Sequence, residues 1–465
     1  MKIYNTLTRK VEELVPLQSK TVHMFVCGPT VYDFIHIGNA RTFVIFDMVA
    51  KYLRFREFEV RYIQNITDID DKIISCAREN NEDAEIYAQR FETEYFKDIK
   101  SLGIDAVSIY VRATDHIEAI IKQVQTLIDK GFAYEISDGI YFDISKFKGY
   151  GKLSGRTTVN DDDAVSRIDE NPGKRNSGDF ALWKRSEGDE PSWQAPWFPG
   201  RPGWHIEDTA ITEAYFGPQY DLHGGGRDLI FPHHEAEITQ QEAASGKSPF
   251  VKYWMHAGFL ENKSAKMSKS LDNFATVRDM LERYPREVLR LYFLSAHYRS
   301  PLDFSEESFR QAQASIDRIT EFINRLKFFE NKNPNAHRFD EEVGNAANKT
   351  YAGIIDALDD DFNTPKALGI FFEFIRLSNQ YIHEEKIDFH FAKRIMHVLD
   401  IFSNVFGIIP LATSVIPLEI TQLVQERQSA KEHKDFEKAD QLRRKVETQG
   451  YLIDDTPYGP LIKKR

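Results

Sequence analysis

The stretch from Phe25 to Arg41 constrains this chain most. An apolar run, Val22 to Val26, stops at the glycine turn Gly28-Pro29, and order resumes at His36-Ile37-Gly38-Asn39. Beyond it Ala40, Phe43, Val44, Phe46, Val49, Ala50 and Leu53 recur at spacings of three and four, which predicts a helix. Strand, glycine turn and helix together open a nucleotide-binding α/β sheet, with backbone amides and the positive helix end facing a phosphate. In this arrangement His36 can add a ring donor. Gly38 lacks a Cβ, so a nucleotide can lie close to the backbone.

The alternation continues downstream. Val60 to Ile63 predicts a second strand, ending in the acidic turn Thr67 to Asp71, and Asp115 to Asp129 predicts a helix stopped by Gly131. From Tyr134 the texture changes: Ser137-Asp138-Gly139 predicts a hairpin, followed by acidic Asp161 to Asp163 and a Pro/Trp-rich run, Pro191 to Gly200. This is an expected insertion between two halves of one sheet. The second half holds a strand at Tyr220 to His223, a loop at Gly224 to Gly226, a helix from about His233 to Gly246 and a strand from Tyr253 to Leu260. Thr276 followed by Asp279 predicts a capped helix start. After Asp303 nearly everything is helical, up to a terminal hairpin at Tyr451 to Lys463.

Other properties bound the function. At 465 residues the chain suggests about three or four domains. Apolar runs fall short of the ~18–20 residues of a membrane span, and the N-terminus lacks the pattern of an export signal. Two cysteines, Cys27 and Cys76, argue against a disulfide framework and for a reducing cytoplasm. The net charge of −12 means that any RNA must meet a local basic surface. His223-Gly224-Gly225-Gly226 has no G-x-S-x-G partner, which excludes a lipase. His234-Glu235 is followed by Ile238 where a zinc protease needs its second histidine.

Lys266-Met267-Ser268-Lys269-Ser270 supplies a second half to His36-Ile37-Gly38-Asn39. The pair resembles the two signatures of class I aminoacyl-tRNA synthetases, with Asn39 in place of a second histidine. Cys27, Asn65 to Lys72, Gly203 to Glu207 and Phe231 to Glu237 narrow the resemblance to the cysteinyl-tRNA synthetase family, over essentially the whole chain. The resemblance implies ATP-dependent activation of L-cysteine and its transfer to tRNA-Cys. His36, Lys266 and Lys269 would be catalytic. ATP would be held by His36, Gly38, Asn39, Lys266, Ser268 and Lys269, with Mg²⁺ on the phosphates. Thr67, Trp204, His223 and Asp228 would line the cysteine pocket.

His233 and Glu237 stand four apart on one expected helix face. In the family they would join Cys27 in a Zn²⁺ site that takes the substrate thiol, but Asp208 stands where a second cysteine is expected. Asp208 either ligates as a harder donor or leaves three protein ligands and a vacancy. A third alternative is that zinc binding is lost. The metal set is thus Cys27, Asp208, His233 and Glu237.

The implied fold class is α/β: a Rossmann-type parallel sheet catalytic core with an inserted connective domain, then an all-α stem-contact bundle and a small C-terminal anticodon-binding domain. The expected boundaries are 1–133 and 201–262 for the two catalytic halves, 134–200 for the insertion, 263–303 for the Lys266 loop and stem-contact region, 304–408 for the bundle and 409–465 for the anticodon end. Gln425 to Arg465 carries ten Lys/Arg against eight Asp/Glu, and Phe436 or Tyr458 could stack on bases. A cytoplasmic monomer is expected. The rivals are a catalytically silent RNA-binding paralogue, suggested by Asp208, and a ligase joining activated cysteine to an amino sugar.

Overall fold

The structure is a computed structural model that describes residues 1–156, 171–262, 265–266, 275–332, 341–384, 389–409, 417–456 and 459–464. Asp161 to Asp163, Ser268, Lys269 and Tyr458 lie outside these residues. By its internal contacts the chain divides into one unit of Met1–Ser308 with Ala357–Pro365, and another of Phe309–Asp356 with Lys366–Arg465.

The first unit is built on five parallel strands: β1 (Thr21–Val26), β2 (Glu59–Ile66), β3 (Ile109–Arg112), β4 (Tyr220–Gly226) and β5 (Val251–Ala257). Their order is β5-β4-β1-β2-β3. The chain winds outward from β1 through β2 and β3, then returns to lay β4 on the other side of β1. Ligands of open α/β sheets bind in the crevice beyond the strand ends where the winding reverses, which here falls between β1 and β4.

Helix α1 (Ile37–Phe55) follows β1, and its apolar side chains are buried on nearly every side. That is the expectation for a helix clasped within a core rather than lying on a surface. Its Arg41 is 1% exposed and donates to the carbonyls of Gly258, Phe259 and Ser300 at 2.7–2.8 Å. These bonds hold open a bend where the sequence pattern predicts an unbroken strand from Tyr253 to Leu260. Strand β5 therefore ends at Ala257, and Leu260–Asn262 joins a separate small sheet.

A second departure concerns Gly224 to Gly226, which the glycine run marks as a loop. These residues belong to β4. A Cβ on Gly224 would lie 2.3 Å from the Phe46 ring, and one on Gly225 would lie 2.8 Å from the His234 ring. The glycines admit close side chains from neighbouring helices rather than bend the backbone.

The inserted segment forms an antiparallel sheet of Ala133–Ile136, Gly139–Phe142, Phe180–Arg185 and Gly200–Pro202, its first two strands joined by the expected hairpin. Ile140, Phe142, Leu182 and Trp183 share one core with α2 (Ile117–Asp129), α3 (Ile206–Phe216) and α4 (His233–Ser245). The last strand runs directly into Trp204 and His205.

The second unit contains the helical stretches Glu341–Asp359 and Thr364–His383, apart from their residues in 357–365, with Phe389–Asn404. It ends in helices Leu418–Glu432 and Phe436–Thr448 and the antiparallel pair Tyr451–Thr456 and Gly459–Lys464. Arg427, 3% exposed, grips Asp455 through two bonds of 2.8 and 2.7 Å, tying the first of these helices to the hairpin.

Candidate active site

A cleft of about 270 Å³ opens at the winding reversal, lined at one end by His36, Gly38 and Asn39 and at the other by Cys27, Asp208 and His233. Cys27 leaves β1 and donates its amide to Gly224 O at 3.2 Å. The turn after it requires glycine: a Cβ on Gly28 would lie 1.7 Å from Asn65 O, while Gly28 N donates to Asn65 Oδ1 at 2.6 Å. The ends of β1 and β2 are thus packed backbone to backbone, which fixes where Cys27 points.

His36 is the N-cap of α1. Its Nδ1 accepts from Gly38 N at 3.0 Å and from Asn39 N at 3.3 Å. These two amides, expected from the sequence to face a phosphate, are satisfied by the imidazole. A Cβ on Gly38 would lie 2.8 Å from the ring, so here the missing side chain makes room for His36. Burial lowers the His36 pKa, against an opposing pull from Asp228. The ring is therefore neutral near pH 7. With Nδ1 accepting, its proton sits on Nε2.

The segment on the far side of the Lys266 loop comes to the same place. Ile37 N donates to Ala275 O at 3.0 Å and Val277 N to Ile35 O at 3.1 Å, so His36 and Thr276 are bridge partners. Thr276 also carries the expected capping box with Asp279. The backbone of Lys266 pairs with Glu261 in a two-residue strand.

At the other end, donor atoms of Cys27, Asp208, His233 and Glu237 all lie within 4.8 Å of one another, and all four residues are buried. His233 Nε2 is 3.0 Å from both Asp208 Oδ2 and Glu237 Oε1, while Cys27 Sγ is 3.5 Å from Asp208 Oδ2. Burial raises the pKa of each acid: the Cys27 thiol and Glu237 well above their usual ranges, with further repulsion from Asp208, and Asp208 to about 7. Buried carboxylate oxygens Asp208 Oδ1 and Glu237 Oε2 accept no hydrogen bond. Crowded acids with unsatisfied oxygens beside a thiol and an imidazole fit a divalent metal ion.

The remaining expected residues divide. Trp204 stacks on His233 with ring centres 4.2 Å apart, and with Thr67 and Asp228 it lines the cleft. Thr67 donates to the buried Glu207 carboxylate. His223 is instead fully buried, with Nε2 3.3 Å from Cys27 Sγ and its ring stacked on Trp254. His234, which the sequence argument passed over, stands 3.1 Å from the same sulfur. Its signal was present: positions 234 and 237 share a helix face as 233 and 237 do.

Among known proteins, the model of the family described as tRNA synthetases class I (C) catalytic domain matches residues 13–314, and that of the DALR domain matches 353–410. The chain is 43% identical to a protein named cysteine–tRNA ligase from Carboxydothermus hydrogenoformans, over all of both chains. It is 42% identical to one of the same name from Thermococcus onnurineus, over 100% of this chain and 99% of that one. In fold it resembles Mycobacterium tuberculosis methionyl-tRNA synthetase in complex with methionyl-adenylate. That match has a TM-score of 0.63 at 16% identity and covers 83% of this chain and 90% of the other.

Proposed function

Because this chain belongs to the cysteine–tRNA ligase family of class I aminoacyl-tRNA synthetases, we propose that it activates L-cysteine with ATP and charges tRNA-Cys. In the first step the cysteine carboxylate attacks the α-phosphorus and pyrophosphate leaves. In the second, a hydroxyl of the terminal ribose attacks the acyl carbon, losing its proton, and AMP leaves. The observation that carries this reading is the pairing of Ile35–Ile37 with Ala275–Val277. It brings the stretch that follows the second signature onto the first, at the mouth of a cleft whose far end holds a thiol-compatible donor set.

Nucleotide binding falls to the His36 end. The imidazole Nε2–H and the Asn39 side chain would meet the phosphates of Mg²⁺-bound ATP, with Gly38 seating the ring that carries the donor, and Lys266, Ser268 and Lys269 would complete the ATP site. Such groups act by orienting the reactants and by opposing the charge that builds up in transfer. Thr67, Trp204, Asp228 and, from behind Cys27, His223 shape the amino-acid end. Cys27, Asp208, His233 and Glu237 would hold zinc, which when bound supplies a Lewis-acid contact for the substrate sulfur. Serine differs from cysteine by one atom, and shape alone separates such isosteres poorly, so a sulfur-seeking contact gives the selectivity. Residues 304–408 would meet the tRNA stem and 409–465 its anticodon, in a cytoplasmic monomer. None of the helices among the described residues is long and apolar enough to cross a membrane.

Pyrophosphate exchange is expected to depend on L-cysteine, to proceed without tRNA and to reject L-serine, with acid-stable label then appearing on tRNA-Cys. Absence of exchange would leave the RNA-binding rival. Exchange with label passing to an amino sugar but not to tRNA would leave the other. A separate measurement tests Asp208. Exchanging it for cysteine adds a second thiolate, and Asp208→Cys is expected to hold zinc against at least about tenfold more chelator than the parent. Equal retention would exclude Asp208 as a ligand.

A further inference from the structure

Behind the cleft, Cys27 and Glu237 belong to a second set of donors. Atoms of Cys27, His223, His234 and Glu237 also lie within 4.8 Å of one another, and all four residues are buried. The imidazoles present Nε2 to the Cys27 sulfur at 3.3 Å (His223) and 3.1 Å (His234), from rings set edge to face at 64°. Each is anchored through its other nitrogen. His223 Nδ1 is 2.6 Å from the Tyr220 hydroxyl, and His234 Nδ1 is 2.8 Å from His256 Nε2. The His256 Nδ1 in turn is 2.8 Å from Thr6 Oγ1. An imidazole held by its rear nitrogen, with the front one aimed at a thiol, has the arrangement of a metal-ligating histidine and its outer partners. Glu237 is common to both sets: Oε1 lies 3.0 Å from His233 Nε2 and 4.0 Å from Cys27 Sγ, while the buried Oε2 has no hydrogen-bond partner.

We infer that this chain has a second, inner position for a divalent metal ion, held by Cys27, His223, His234 and Glu237 and set behind the one that faces the cleft. The inference extends the metal part of the proposed function and does not depend on which amino acid is activated. Charge and softness make the inner set a fit alternative to the outer one. One thiolate and one carboxylate cancel a divalent charge, whereas the outer set adds a second carboxylate. Two imidazoles also suit zinc or cobalt better than the outer set's single one. His223 and His234 are both fully buried, so neither ring nitrogen that faces the sulfur is open to solvent. Sharing Cys27 and Glu237 means that one ion occupies one set at a time, so the parent chain binds a single equivalent.

The test removes the outer donors and asks what remains. The double variant Asp208→Leu, His233→Leu is loaded with zinc alone and dialysed. It is then assayed for metal by mass spectrometry and for ligand type by X-ray absorption. About one equivalent per chain, with scattering from two imidazoles and one sulfur, is expected, and adding His234→Gln should abolish it. A folded double variant that binds no metal overturns the inference, as does bound metal with fewer than two imidazoles. If the double variant fails to fold, His233→Gln alone serves. The outer set then has no imidazole, so a two-imidazole spectrum reports the inner position and any other result excludes it. A parent chain that binds no zinc or cobalt defeats both positions. A parent that binds while the folded variant does not defeats only the inner one.

Discussion

Replacing His36 by alanine is expected to lower cysteine-dependent pyrophosphate exchange by about 10²–10³-fold in kcat/KM for ATP, the usual cost of deleting one donor aimed at developing charge. Two functions meet in this ring. Nδ1 accepts the Gly38 and Asn39 amides and so caps α1, and the neutral ring then carries its proton on Nε2 at the cleft. The two can be separated. His36→Asn keeps a good capping oxygen but has no donor at the Nε2 position, so it should lose nearly as much activity while unfolding like the parent. His36→Ala should in addition lose roughly 1 kcal/mol of stability through the missing cap. Exchange within threefold of the parent in His36→Asn would reduce the histidine to a helix cap.

The second large effect lies further along α1. Asp47 is fully buried against Arg290, which is 1% exposed. Asp47 Oδ2 accepts from Arg290 at 2.7 Å and pairs with Lys51 at 2.9 Å, and its Oδ1 accepts the amides of Asp105 at 3.1 Å and Ala106 at 3.0 Å. Asp47→Ala strands a buried guanidinium and two amides, and is expected to cost about 3–5 kcal/mol in urea unfolding. Replacing both partners, Asp47→Leu with Arg290→Met, should cost clearly less, because no charge is then left unpaired. A double variant no better than Asp47→Ala would refute this account. Burial pushes the Asp47 pKa up, but Arg290 and then Lys51 outweigh it, so the folded value lies below the ordinary one. The sign follows: this contribution is fully present above about pH 4, the unfolded carboxyl range, and is lost as pH falls towards the folded pKa. The gap between parent and Asp47→Ala should therefore narrow in acid.

These two sites also separate what local sequence settles from what it leaves open. Helix α1 was legible because apolar spacing acts within a turn or two, and so were the Thr276 capping box and the pairing of His233 with Glu237 on one face. Each is an interaction between residues at most four apart, so the chain itself sets the geometry. The glycine triplet was misread as a loop for the converse reason: Phe46 and His234, whose rings require the missing side chains, are not close in sequence to all of it. The same holds for the break at Gly258, which depends on Arg41 more than two hundred residues earlier.

The amino-acid sequence alone determined the α/β class, with its parallel sheet split by an insertion, and the family to which the chain belongs. Only the tertiary structure decided that the Gly38 and Asn39 amides turn to His36, that Ile35–Ile37 pairs with Ala275–Val277, and that His223 and His234 close on Cys27 from behind. The first is a local cap over two and three residues, which the sequence reading gives to a phosphate instead; the other two join segments far apart in the chain, and no local periodicity carries the register of such meetings.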